Sequence, residues 1–99
     1  MSDNLLVELS IEFAVKIVKM TDEIQGKAVL KNQILKSGTS VGANIHEANY
    51  AQSKNDFISK LQIALKECFV TEYWLELFIK ANLSLVIISA ATSIVKMCG

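Results

Sequence analysis

The stretch from Ser37 to Phe78 constrains the fold of this chain more than any other part of it. Its first part is crowded with small residues, and its second part carries apolar residues at steps of three and four: Phe57, Leu61, Ala64, Leu65, Cys68, Leu75 and Phe78. Such steps place side chains on one face of an α-helix. The stretch therefore predicts the end of one helix, a turn, and the beginning of the longest helix in the chain.

The composition favours an all-α protein. The 99 residues include no proline and four glycines, and 52% are hydrophobic, which excludes a disordered or low-complexity chain. A domain this short buries a small share of its surface, so we expect it to associate with further copies of itself. We predict one domain over residues 1–99, an antiparallel, left-handed, up-down-up-down four-helix bundle with a short fourth helix, its helices at about 4–23, 27–48, 53–81 and 85–97.

Local signals mark several helix ends. Gly26 suits a left-handed cap after the first helix, and Ser53 followed by Asp56 resembles a capping box at the start of the third. Ser84 is the predicted N-cap of the fourth helix. That helix is apolar on nearly every side, which predicts that it is buried on two sides, one of them against another subunit. It is shorter than the ~20 apolar residues of a membrane span, so no membrane association is expected.

Charge and cysteine usage limit the possible partners. Ten lysines balance ten carboxylates and arginine is absent, so the chain has no long-range positive field that would attract nucleic acid. Cys68 and Cys98 lack the spacing of a metal site and are expected to be reduced thiols of a cytoplasmic protein. The first residues do not form a basic region followed by an apolar run, so no signal peptide is expected.

The second predicted helix contains the candidate packing residues. Gly38 and Gly42 each cost about 1 kcal/mol relative to alanine in a helix, and their spacing of four places them on one face. We expect another helix to approach closely there, either within the bundle or between subunits. Asn44 is predicted to bond across the bundle and to fix its register, and Glu47 is predicted to lie near the helix end.

The single histidine, His46, does not complete a catalytic or metal-binding motif. His46 and Glu47 do not form an HExxH motif, because Tyr50 stands where the second histidine would be. We therefore predict no catalytic residue, no metal ligand and no cofactor, and we expect a protein that is not an enzyme.

The third helix offers one further acidic pair. Glu72 and Glu76 lie one turn apart, next to Trp74, and are either an acid/base pair or, more simply, like charges on an exposed face. Val70, Trp74 and Leu77 lie away from the main apolar face, so this helix is expected to bury apolar surface on a second side.

One set of residues, spread over about residues 5–81, resembles a known family. The set is a serine-rich turn of helix, Asn44-Ile45-x-Glu47, Ser53, Asp56-Phe57, Ile63-Ala64-Leu65 and a helix bearing Glu72. Together these residues are similar to those of the bacterial four-helix-bundle family named after proteins encoded in intervening sequences of 23S rRNA genes. That family usually carries a longer acidic turn after position 82 and a longer, charged fourth helix.

The resemblance implies an up-down-up-down bundle, often assembled as a ring-like homopentamer, with no established enzyme activity. A related branch accompanies the reverse transcriptases of diversity-generating retroelements and uses a basic surface to hold nucleic acid or protein. We therefore carry two functional hypotheses. The first is a non-catalytic, self-associating scaffold with Gly38, Gly42, Asn44, Glu47, Glu72 and Trp74 as candidate structural or interface residues. The alternative is an accessory protein that binds RNA or DNA.

Overall fold

Four α-helices make up the part of the chain that the structure describes. The structure is a computed structural model that describes residues 2–81 and 85–98, with side chains described for residues 5–81 and 89–97. Helix α1 spans Ser2–Asp22, α2 Ala28–Ala48, α3 Lys54–Lys80 and α4 Leu85–Cys98. The predicted bounds differ from these by at most two residues at either end of each helix.

The helices form an antiparallel bundle. Each helix packs against the next one in the chain, and α4 packs against α1, so the four occupy the corners of a square in chain order. The described bundle measures 44 × 23 × 20 Å. Helix α4 has 14 residues and α3 has 27, which confirms the predicted all-α, up-down-up-down bundle with a short fourth helix.

Two successive left-handed residues make the turn between α1 and α2. Gly26 has φ 73° and Lys27 has φ 55°, so the left-handed conformation expected at Gly26 is confirmed and extends one residue further. Lys27 is the N-cap of α2, but its side chain makes no capping hydrogen bond. The Lys31 ammonium instead donates to the Ile24 carbonyl oxygen at 2.9 Å, which ties the first turn of α2 to the segment after α1.

A side-chain cap fixes the start of α3. Ser53 is extended (φ −154°, ψ 166°), and its Oγ accepts a hydrogen bond from the Asp56 N–H at 3.0 Å. The Asp56 carboxylate in turn accepts from the Gln52 N–H at 3.4 Å. The predicted cap at Ser53 is therefore confirmed, and the reciprocal bond reaches the residue before it.

The described core receives side chains from all four helices and from the segment after α1. Its largest fully buried members include Phe78, Ile17, Ile34 and Leu75. The whole cluster of buried apolar residues is Phe13, Ile17, Met20, Ile24, Ile34, Val41, Ile45, Ala64, Leu75, Phe78, Ala91 and Ile94. The members from α1 and from the segment after it follow one another at steps of three and four.

One buried polar contact joins α2 to α3. The Thr71 hydroxyl lies 2.9 Å from Ser37 Oγ and 2.8 Å from the Glu67 carbonyl oxygen. The Ser37 hydroxyl donates to the Gln33 carbonyl oxygen at 3.0 Å. Because buried hydroxyls need partners, this pair favours one register between the two helices.

Helix α4 buries one side in its described part. Ala91 and Ile94 are buried, whereas four polar residues are exposed: Ser89, Thr92, Ser93 and Lys96. The side chains of residues 85–88, and the predicted N-cap Ser84, lie outside the described residues. Among the helices of residues 2–81 and 85–98, none is both long enough and apolar enough to cross a membrane.

Candidate interaction surface

An open apolar groove runs between α1 and α3 beyond the end of α4. We call it the open groove. It has a volume of about 460 Å³, and its lining is almost entirely apolar: Leu6, Leu9, Ser10, Phe13, Val41, Ile45, Leu61, Ala64, Leu65, Cys68 and Met97. Helix α2 supplies its floor through Val41 and Ile45, so the groove opens at the corner of the bundle that α4 occupies elsewhere.

The groove exists because α4 is shorter than its neighbours. Helix α4 runs antiparallel to α3 from the carboxyl end of α3, and its Met97 already lines the groove. A helix of 14 residues covers about 21 Å, whereas the 27 residues of α3 extend over about 40 Å. The amino-terminal halves of α1 and α3 therefore lack the neighbour that covers their other halves. This explains why Leu6 and Leu9, which continue the buried face of α1 toward its amino terminus, remain 42% and 45% exposed.

Helix α3 carries a row of exposed apolar residues beside the groove. We call this row the α3 ridge; its members are Ile58, Leu65, Phe69, Tyr73 and Leu77. Leu65 also lines the open groove, so the ridge and the groove are continuous. Phe69 is 55% exposed, which is unusual for a phenylalanine of a solitary domain.

Helix α1 carries a second exposed apolar surface, which we call the α1 ridge. It consists of Ile11, Val15 and Val18, which are between 43% and 57% exposed. At 100° per residue, Ile11 lies about 160° around the helix from Leu9, so this ridge points away from the open groove. The residues with described side chains therefore present two different apolar surfaces on different sides.

The structure places both candidate glycines inside the protomer, where α1 crosses α2. A Cβ atom added at Gly38 would collide with the Cδ1 atom of Ile17. A Cβ atom added at Gly42 would lie 3.1 Å from Ser10 Oγ. The close helix approach that the sequence indicated is thus the α1–α2 contact of one chain.

Asn44 and Glu47 make different kinds of contact: one within α2 and one to α3. The Asn44 side chain is half-buried and donates to the Ser40 carbonyl oxygen of its own helix at 2.8 Å, so it does not make the bond across the bundle that we expected. In a helix, the carbonyl oxygen four residues earlier lies within reach of a short polar side chain, which favours this local hydrogen bond. Glu47 is exposed near the end of α2 and pairs with Lys60 of α3 at 3.2 Å.

Glu72 and Trp74 lie on α3, toward its carboxyl end. Glu72 is half-buried, and Glu76 is exposed at the edge of a shallow cavity between α3 and α4. Trp74 is half-buried against the core and meets Tyr73 edge to face, with ring centroids 5.0 Å apart. Its indole Nε1 is buried and reaches no acceptor among the described residues.

The polar residues that could suggest chemistry are not brought together. Glu47 lies opposite Lys60, and Glu72 follows Lys60 by twelve residues, or about 18 Å along α3. His46 is exposed beside Tyr50, near the α2–α3 turn. In the described part of the chain, no three histidine, cysteine, aspartate or glutamate side chains gather in a way that could hold a metal ion.

Sequence reasoning missed the α1 ridge and Thr71. The signal for the ridge was Ile11 and Val15, two β-branched residues among the charges of α1, which do not belong to its inner face. The signal for Thr71 was its spacing: it lies three residues after Cys68 and four before Leu75, on the same helix face as these two apolar residues.

Comparison with known proteins identifies the family. A profile of the family described as 23S rRNA-intervening sequence protein matches residues 2–97. A crystal structure of a protein of unknown function from the S23 ribosomal protein family of Bacteroides thetaiotaomicron is similar, with a TM-score of 0.79 and 46% sequence identity. The match covers 99% of this chain and 95% of that one. No curated protein matches the sequence. The chain belongs to the family of 23S rRNA-intervening sequence proteins.

Proposed function

On the premise of this family membership, we propose that the protein is a non-catalytic helical scaffold that assembles with copies of itself. One observation carries the proposal: the open groove, with the α3 ridge beside it, leaves a long apolar surface uncovered on a chain of 99 residues. Contiguous apolar surface of this kind marks interaction sites in soluble proteins. The chain has a formal net charge of zero, so charge repulsion between copies does not oppose association.

Magnitudes favour an assembly with several contacts over a simple pair. Covering a half-exposed leucine, isoleucine or valine stabilises by roughly 1 kcal/mol, so six such side chains supply about 6 kcal/mol per contact. This is near the lower end of the ~4–15 kcal/mol that association costs in translational and rotational freedom. A closed ring gives each protomer two contacts instead of one. The resemblance to the family favours five copies, and we propose a homopentamer in the cytoplasm.

Sedimentation velocity tests the proposal directly. The 99-residue protein is run over a concentration series from about 1 to 100 μM, a range suited to contacts of micromolar affinity. We expect one species heavier than the 10.9 kDa protomer, with a mass near five protomers at the upper end. A protein that sediments as a protomer throughout the series contradicts the scaffold. A stable assembly of another size leaves the scaffold intact and corrects the stoichiometry.

Nucleic-acid binding is the alternative that the sequence left open, and the described lysines give it less support. Lys60 pairs with Glu47, and Lys31 donates to a backbone carbonyl oxygen. On α1, Lys16 and Lys19 alternate with acids. Titration of a labelled RNA and a labelled DNA at low salt distinguishes the two functions. Affinity that falls steeply as salt rises would favour this alternative, and no binding at low salt would remove it.

A further inference from the structure

We propose that the contact between copies is head-to-tail: the α1 ridge of one protomer seats in the open groove of the next. The inference rests on the proposed function, because it names the surfaces through which the scaffold assembles. It commits to a second copy of this chain as the occupant of the groove. The four observations that favour this occupant are the position, length, shape and charge of the two surfaces.

The positions of the two surfaces exclude a two-fold pair in which the α1 ridge of each copy enters the open groove of the other. The ridge and the groove lie about 160° apart around α1, so one copy cannot use both toward the same neighbour. A contact between two different surfaces is heterologous, and it leaves one free surface at each end of a pair. When the same contact repeats from copy to copy, every α1 ridge and every open groove is covered if the chain of copies closes. It closes into a ring when the rotation between copies permits closure.

The lengths agree. The ridge from Ile11 to Val18 covers seven residue steps, or about 10.5 Å of helix. The two walls of the groove, from Leu6 to Phe13 and from Leu61 to Cys68, also cover seven steps each. The ridge therefore spans the groove from end to end.

The shapes agree as well. The groove occupies the position of a helix, because α1 and α3 flank it at the corner that α4 fills further along the bundle. The ridge is a single helical face of three β-branched residues at steps of three and four. Such a face packs into the spaces between leucine side chains of neighbouring helices.

The charges beside the two surfaces are complementary. The exposed charges within one turn of the α1 ridge are Glu8, Glu12, Lys19 and Asp22, which give a net charge of −2. Beside the open groove, the exposed charges in the amino-terminal half of α3, on the side of the α3 ridge, are Lys54 and Lys66. Glu8 and Asp22 are fourteen residues apart, or about 21 Å, and the two lysines are twelve apart, or about 18 Å. Acids on one copy can therefore meet lysines on the next.

A mixing experiment tests the contact. The ridge-blocked variant carries Ile11→Glu and Val15→Glu, and the groove-blocked variant carries Leu9→Lys and Leu65→Lys; all four positions are exposed in the protomer. Val29→Glu, at an exposed valine outside both surfaces, is the matched control. Circular dichroism first shows that each variant is helical, and sedimentation then gives its mass. We expect the control to assemble like the unmodified protein and each blocked variant to remain a protomer.

Equal mixing of the two blocked variants gives the decisive result. The ridge-blocked variant keeps its open groove, and the groove-blocked variant keeps its α1 ridge. A mixed pair can therefore make one contact and no more, and we expect a particle of about twice the 10.9 kDa protomer mass. If the blocked variants still assemble alone, or if the mixture stays at the protomer mass, the head-to-tail contact is wrong although the scaffold stands. If the unmodified protein itself never assembles, the scaffold is wrong.

A charge exchange provides a second measurement with milder substitutions. Glu8→Lys with Asp22→Lys should weaken assembly about tenfold at low salt, which corresponds to about 1.4 kcal/mol. Adding Lys54→Glu and Lys66→Glu to the same chain should restore the affinity, because the reversed surfaces again attract. If the variant with all four substitutions does not recover its affinity for assembly, the pairing of these two surfaces is wrong.

Discussion

At the scale of single residues, the turn between α1 and α2 holds an unfavourable backbone conformation. Gly26 adopts positive φ at little cost because it has no Cβ atom. Lys27 adopts φ 55° with a Cβ atom, and no side-chain hydrogen bond compensates for it. The position thus costs stability that a different residue would recover.

Replacing Lys27 by glycine should therefore stabilise the fold. We expect Lys27→Gly to raise the free energy of unfolding by about 0.5–1 kcal/mol, because relief of the left-handed strain exceeds the added flexibility of the unfolded chain. Urea unfolding at fixed protein concentration measures the change. Lys36→Gly, at an exposed position within α2, is the matched control and should lower stability by about 1 kcal/mol. Equal effects at the two positions would contradict the argument.

The same residues show how far local sequence chemistry reaches. Gly26 and the Ser53 cap could be predicted because both follow from the chemistry of one or two residues. Lys27 could not, since lysine carries no preference for positive φ and the geometry of the turn imposes it. Asn44 was assigned to a contact across the bundle, but a carbonyl oxygen four residues earlier satisfies its amide.

At the scale of helices, the α1–α2 contact depends on the missing side chain of Gly38. The Ile17 side chain is fully buried and occupies the space that a Cβ atom at Gly38 would need. The sequence indicated that some helix must approach here but left open which one. Only the order of packing around the bundle assigns the contact to α1 of the same chain.

Gly38→Ala should destabilise the bundle, and shortening Ile17 should reverse part of the loss. Overpacking costs roughly 1–3 kcal/mol, and the better helix propensity of alanine offsets about 1 kcal/mol of it. Ile17→Val removes the Cδ1 atom that lies nearest to the new methyl group. We expect the double variant to be more stable than Gly38→Ala alone. Gly42→Ala, which meets only Ser10, should be nearly neutral, and a large loss there would contradict this account.

The α2–α3 register should depend measurably on the Thr71–Ser37 pair. Thr71→Val keeps the side-chain shape and removes the hydroxyl, which should cost about 0.5–1.5 kcal/mol. A double-mutant cycle with Ser37→Ala should give a coupling of about 0.5–1 kcal/mol, because each hydroxyl retains an acceptor in its own helix. Thr39→Val, at an exposed threonine bonded within its own helix, is the control and should change little.

At the scale of the whole molecule, a mismatch of helix lengths creates the surface that the proposed function uses. The short fourth helix could be read from the sequence, and so could the apolar faces of α1 and α3. The open groove could not be read, because it depends on how far α4 reaches along α3. Met97 reaches the Cys68 region, which leaves the amino-terminal halves of both neighbours uncovered.

Thermal stability should therefore depend on protein concentration. If covering the groove stabilises the folded chain, each tenfold rise in concentration adds about 1 kcal/mol per protomer through mass action. For a domain of 99 residues this raises the midpoint temperature by roughly 4–8 °C. Circular dichroism melts at about 1, 10 and 100 μM, within the same micromolar range, measure it. The groove-blocked variant should melt at one temperature throughout, because its stability comes from the protomer alone. A concentration-independent midpoint for the unmodified protein would mean that the groove contributes nothing to its stability, since an association that covers apolar surface must appear in the melt.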